Sequence, residues 1–378
     1  MMPRLFQAFA VTAVVGLSAF VVVPAAQALT PNVTTITGLN NTFSTAFSPD
    51  GATAYVVEND DGTRGGAGAL TLVDTRTKSV VGESISLGDS GGATNRAIAM
   101  APDGSKAYIS MSNGTLLPFY PETLTFGPAI AVGNTGIGQV VFTPDGTRAF
   151  VAVTDYGSGN LVKAINVGDD TVVASIIVGL GPNGMAITPD GLSVFVNCSD
   201  GSVSVIETTG NTVVQSFTPS GHAQGTTITM APNGSRVYVT AFAGGGPNML
   251  TSVVYTTTYA TDHQFTGEPK DTAFDSEGAT AFLMSASLGQ LIPTDAVTFD
   301  EGTPITVLEP TSGTWLFVDK NPRASQYFVT GGNWVVIVGD GPELADTGVS
   351  NPITTVLTGA TLVAIVGGVL LVARRRRA

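Results

Sequence analysis

Two histidines and one cysteine are all that 378 residues offer for proton-shuttling, thiolate or soft-metal chemistry. A single cysteine, Cys198, excludes an intrachain disulfide. With His222 and His263 it is too small a donor set for a Cys/His zinc centre. His222 has no acidic neighbour in sequence to orient it as a base, so it is expected in a surface loop. Cys198 is expected as a small buried hydrophobe. No G-x-S-x-G, H-E-x-x-H or P-loop lysine occurs. Gly179-Leu180-Gly181-Pro182-Asn183-Gly184 matches G-x-G-x-x-G, but Pro182 stands where a phosphate-binding helix would have to begin, so the segment reads as a turn. Glu58-Asn59-Asp60-Asp61-Gly62 opens a Gly-rich loop whose oxygens suit calcium or plain solvation, without the later glutamate of an EF-hand. These residues call for no metal and no cofactor. The charge balance, 16 basic against 29 acidic residues and a net of −13, speaks against nucleic acid, which needs clustered Lys and Arg.

The elements that would position these residues come from a repeat. Pro-Asp-Gly, three residues, then an aromatic and an aliphatic recur at Pro49-Asp50-Gly51, Pro102-Asp103-Gly104, Pro144-Asp145-Gly146 and Pro189-Asp190-Gly191. Pro232-Asn233-Gly234, Ser276-Glu277-Gly278 and Pro322-Arg323-Ala324 continue the series in altered form. The third positions are 53, 42, 45, 43, 44 and 46 residues apart, a period of propellers and solenoids. Each copy reads as four short strands; in the fourth they fall at 184–188, 194–198, 202–207 and 212–217, with Pro, Asp and Gly making the first hairpin turn. No apolar period of 3.6 residues appears between the two ends of the chain. The last copy offers strands at 315–318, 327–330 and 334–338 and then stops, while an unclaimed strand, 33–38, precedes the first copy. The spacing therefore predicts an all-β, seven-bladed propeller over 29–341, four antiparallel strands per blade, whose N-terminal strand completes the last blade and removes an open edge.

Tyr55-Val56-Val57-Glu58, Phe150-Val151-Ala152-Val153, Phe195-Val196-Asn197-Cys198 and Tyr238-Val239-Thr240-Ala241 resemble the Tyr-Val-Thr-Asn strand of the YVTN family of β-propeller repeats, across essentially the whole mature domain. The resemblance implies the propeller; its members include cell-surface proteins and lactonase-like relatives. In a propeller the Pro-Asp-Gly turns lie on one face, and ligands more often meet the other, around the channel mouth. Eight residues before each repeat anchor lie Phe43, Arg96, Gly138, Asn183, Thr226, Lys270 and Leu316, with Asn95, Gln139, Gln224 and Asp271 beside them. Arg96, Gln139, Asn183, Gln224, Lys270 and Asp271 are the candidate ligand contacts; Arg96 and Lys270 would suit an anion, or are ordinary solvated loop residues.

The ends carry addresses. Arg4, the apolar run 8–23, Pro24 and Ala26-Gln27-Ala28 make residues 1–28 a secretory signal peptide. Residues 342–378 hold Leu344-Ala345-Asp346-Thr347-Gly348, an uncharged stretch 353–373 and four arginines, 374–377. The 21 residues of that stretch, as a helix, rise about 31 Å, enough to cross a membrane, with the arginines on the cytoplasmic side. The arrangement resembles a Gram-positive cell-wall sorting signal, with Ala345 in place of the usual proline, as in substrates of class E sortases of high-GC bacteria. That resemblance implies a sortase transpeptidase and a peptidoglycan precursor as partners, and cleavage between Thr347 and Gly348. Processing would remove five basic residues and no acidic one, leaving a net charge of −18 on 29–347. The expected protein is a wall-anchored binding, adhesion or display module for an extracellular ligand; the alternative is a lactonase-like extracellular hydrolase acting at the channel mouth.

Overall fold

The computed structural model describes residues 32–59, 67–89, 97–133, 137–155, 159–244, 248–266, 269–307 and 316–339. The expected leader, the sorting pentapeptide and the apolar stretch 353–373 lie outside them. Among the described residues there is no helix; every regular element is a strand.

The strands form seven antiparallel sheets, each built from consecutive strands except the last. The innermost strands are Thr42–Phe47, Ile98–Met100, Ile137–Phe142, Pro182–Ile187, His222–Met230, Pro269–Phe274 and Phe317–Lys320, one per blade. Each packs against the next, and the seventh returns to the first, so the ring is closed. The N-terminal strand Asn32–Thr37 pairs with Trp334–Gly339, from Asn32 opposite Gly339 to Thr37 opposite Trp334, as the outer strand of blade seven. The prediction of ring closure by the chain's first strand holds, with the strand one residue earlier than expected. In blade seven the inner strand reaches further than the sequence suggested, to Lys320.

Blade two departs from the pattern. Its outer strand is two short pieces, Thr125–Phe126 and Ile130–Ala131, both paired with Thr115–Tyr120. Pro128 falls in the gap, where it has no N–H to give to the ladder.

Burial follows strand position. Second strands such as Ser193–Cys198 are buried along almost their whole length, whereas the outer strand Thr212–Phe217 is almost wholly exposed. Among the described residues there are seven hydrophobic clusters, each spanning one blade-to-blade interface, and no cluster common to all blades. In the interface between blades seven and one, Ile36 packs with Phe47, Val56, Phe328 and Ile337.

The repeated turn explains itself locally and across the interface. Gly51 N–H closes the turn onto Ser48 O at 2.8 Å, and Asp50 Oδ1 accepts Ala52 N–H at 3.0 Å and Ser48 Oγ–H at 2.5 Å. Gly191 sits at φ +73°, and a Cβ there would come within 2.8 Å of Pro144 Cδ in the preceding blade. The proline of one turn thus seats the glycine of the next. Two residues past the anchor, a long side chain clips each of four blades to its successor. Lys106 Nζ donates to Val167 O at 2.9 Å, Arg148 to Thr208 O at 2.6 Å, Arg236 to Ala296 O at 3.1 Å and Gln326 to Thr75 O at 3.1 Å. The last of these spans the closure between blades seven and one.

Candidate functional site

The inner strands leave one edge toward the channel, and their N–H groups need acceptors there. Side chains of the neighbouring blade supply them. Ser44 Oγ accepts Ile98 N–H at 3.3 Å, Gln139 Oε1 accepts Met185 N–H at 2.7 Å, Asp271 Oδ2 accepts Val318 N–H at 3.0 Å and Asp319 Oδ2 accepts Thr45 N–H at 3.3 Å. Each bond joins one inner strand to the next.

Two of these acceptors are carboxylates on adjacent blades. Asp271 is buried; it also accepts Thr272 N–H at 2.9 Å and a bond from the Thr227 hydroxyl. Asp319 keeps some exposure to the channel, yet protein surrounds it. Burial pushes the Asp271 carboxyl up to about 7 against the pull of its hydrogen bonds. Burial, and then repulsion from Asp271, pushes Asp319 up to about 8. Near neutral pH the pair therefore holds protons that exposed aspartates would have lost. It also serves the ring, since each member pins the next blade's backbone.

The remaining sequence candidates scatter. Asn183 and Gln224 are exposed at the starts of their inner strands, on the face opposite the Pro-Asp-Gly turns. Gln139, also exposed in part, is engaged with Met185 as above. Lys270 lies in the strand Pro269–Phe274, but its side chain is outside the described residues, as are Arg96 and Asn95 entirely. Phe43 stacks obliquely on Phe317, ring centroids 4.6 Å apart, across the closure between blades one and seven. Among the described side chains of the proposed set, Asp271 is the one that joins a second titratable group. Counting eight residues back from the anchor reached Leu316 and missed Asp319. The readable signal was a charge placed within an inner strand, Phe317-Val318-Asp319-Lys320, where burial makes it costly.

His222 differs from expectation. It begins the inner strand of blade five rather than lying in a surface loop, and it is buried. Its Nε2 is 2.8 Å from Ser252 Oγ, and Ser252 in turn accepts Gln264 Nε2–H at 2.9 Å. Burial brings the imidazole down to about 4, so it is neutral at pH 7. Ser252 is fully buried, which removes it as a nucleophile despite its histidine neighbour. Cys198 is buried as expected, its thiol pushed up to about 11 mainly by burial. Glu58 turns inward, accepting Asn40 N–H at 2.7 Å and the Thr71 hydroxyl, while Asp60 and Asp61 of the oxygen-rich loop lie outside the described residues.

No protein-family profile matches this sequence, and no curated protein matches it. Solved structures do. A chain of Kuenenia stuttgartiensis hydrazine synthase superposes with a TM-score of 0.67 at 18% identity, covering 81% of this chain and 97% of the other. The β-propeller domain of Myceliophteria thermophila Cps50 (Swd1) superposes with a TM-score of 0.65 at 12% identity, covering 82% and 99%. Both likenesses are of fold alone. The ring carries such different proteins that function has to be argued from this chain's own residues.

Proposed function

We propose that this chain is an exported β-propeller, fixed by sortase to the wall of a Gram-positive bacterium, that serves as a non-catalytic binding, adhesion or display module. The observation that carries the non-catalytic part is the use made of the channel's polar groups. Ser44, Gln139, Asp271 and Asp319 all accept backbone N–H groups of the neighbouring blade, so their first task is to hold the ring. The address rests on the leader 1–28 and on the order of Leu344-Ala345-Asp346-Thr347-Gly348, the apolar stretch 353–373 and the four arginines. Thr347→Ala is expected to move the protein from the fraction that resists boiling detergent to the fraction that detergent extracts. Full extraction of the unmutated protein by detergent would leave only membrane anchoring.

A second reading has one observation in its favour. The proton-holding couple Asp271 and Asp319 in the channel wall is what a hydrolase needs for general acid–base work on a lactone or ester. On that reading the mature domain would turn over such substrates and Asp319→Asn would abolish the turnover.

A further inference from the structure

The direction in which the chain leaves the ring settles more than the folding of blade seven. Inner strands run toward the Pro-Asp-Gly turns, second strands run away from them, third strands run back, and outer strands return to the far face. The last described strand, Trp334–Gly339, is a third strand, so Gly339 emerges on the turn face. Its register says the same: Gly339 lies opposite Gln326, which follows the turn 322–325, and opposite Asn32. Asn321 Nδ2, in that same turn region, donates to Gly51 O of the blade-one turn at 2.9 Å.

Seven residues, 340–346, separate Gly339 from the threonine that would be joined to the wall, so eight Cα steps lie between the two. Fully extended, they reach at most about 29 Å. A six-residue strand such as Trp334–Gly339 spans about 20 Å, which sets the height of the ring. A tether that climbed the rim to bring the opposite face against the wall would spend about two-thirds of its reach on the climb.

We infer that the ring is held with its Pro-Asp-Gly face toward the wall and presents the opposite face, with the channel mouth at Asn183 and Gln224, to partners arriving from the medium. This rests on the wall-anchoring reading above. The outward face also holds the groove between blades five and six, 610 Å³, lined by Ala243, Met249, Leu250 and Leu288 among others. The turn face is the one withheld.

Single cysteines read the orientation cleanly, because the native Cys198 is buried. Ala52 is exposed in the blade-one turn, beside the exit point, and Leu180 is exposed in the link between blades three and four on the opposite face. The experiment labels Ala52→Cys and Leu180→Cys versions of the full-length protein with a bulky, membrane-impermeant maleimide, first on intact cells and then after release of the mature chain by a muramidase. Leu180→Cys is expected to label equally in both states. Ala52→Cys is expected to label several-fold less on cells and to recover on release. Equal labelling of the two variants on intact cells would overturn the orientation while leaving wall attachment standing. Recovery of both variants in the detergent phase, with nothing released by muramidase, would overturn the anchoring reading and the inference with it.

Discussion

Asp319 occupies a place where an aspartate is expensive, and its surroundings set what pH does to the protein. Its folded carboxyl, at about 8, and that of Asp271, at about 7, stand above the ordinary value of 3.8. The folded state therefore binds protons that the unfolded chain has released, and the stability this lends is complete below about pH 4 and lost as pH rises through 7 and 8. His222 works in the opposite sense: at about 4 folded against 6.5 unfolded, its contribution is present above pH 6.5 and lost as the medium acidifies. Between pH 7 and 8.5 the aspartates dominate, and unfolding monitored by circular dichroism should show a fall of about 1 kcal/mol. Asp319→Asn should flatten that fall; an unchanged slope would mean that the pair is not the titrating group. At this scale the sequence was least legible. Asp271 was reached because it lies beside Lys270, the position eight residues before the anchor. Asp319 and the burial of His222 depend on which side chains a neighbouring blade brings near, and no spacing within one repeat records that.

The turn between the first and second strands is the element on which the repeat is written. Proline, aspartate and glycine each have a local reason to recur there, and that is why seven copies could be counted from the chain alone. Their second task, seating one blade's glycine on the previous blade's proline, was not readable from a single copy, and neither were the clips of Lys106, Arg148, Arg236 and Gln326. The turns differ in how tightly they seat. A Cβ on Gly191 would meet Pro144 Cδ at 2.8 Å, whereas one on Gly146 would rest in ordinary contact with Pro102 Cδ at 3.7 Å. Both glycines have left-handed backbones, at +73° and +68°. Gly146→Ala should then cost about 1–2 kcal/mol for backbone conformation alone. Gly191→Ala should cost measurably more, because the clash adds to the strain. Denaturant titration of the two variants side by side tests this; equal costs would argue that Pro144 yields.

For the whole molecule, stability is shared among seven interfaces, and the seventh depends on the two ends of the chain meeting. Ile36, from the first strand, is 7% exposed within the cluster that also holds Phe47, Phe328 and Ile337. Ile36→Ala should cost about 2–4 kcal/mol, seen as a calorimetric Tm several degrees lower. The variant should also aggregate more readily, since freeing Asn32–Thr37 bares the ladder edge of Trp334–Gly339. A loss of well under 1 kcal/mol would mean that the ring tolerates an open seam. This closure was legible in the sequence, because a strand missing at one end was present at the other.

That seam has a further consequence. Asn32 and Gly339 are paired residues of neighbouring antiparallel strands, placed as the other blades place the two sides of their third hairpin. A linker of two or three residues would join them as an ordinary turn. The chain could then be cut in any other blade's hairpin, between Glu207 and Thr212 for instance. The same circle would be drawn from a different starting point, and the segment that follows Gly339 could be moved to whichever blade is made the last.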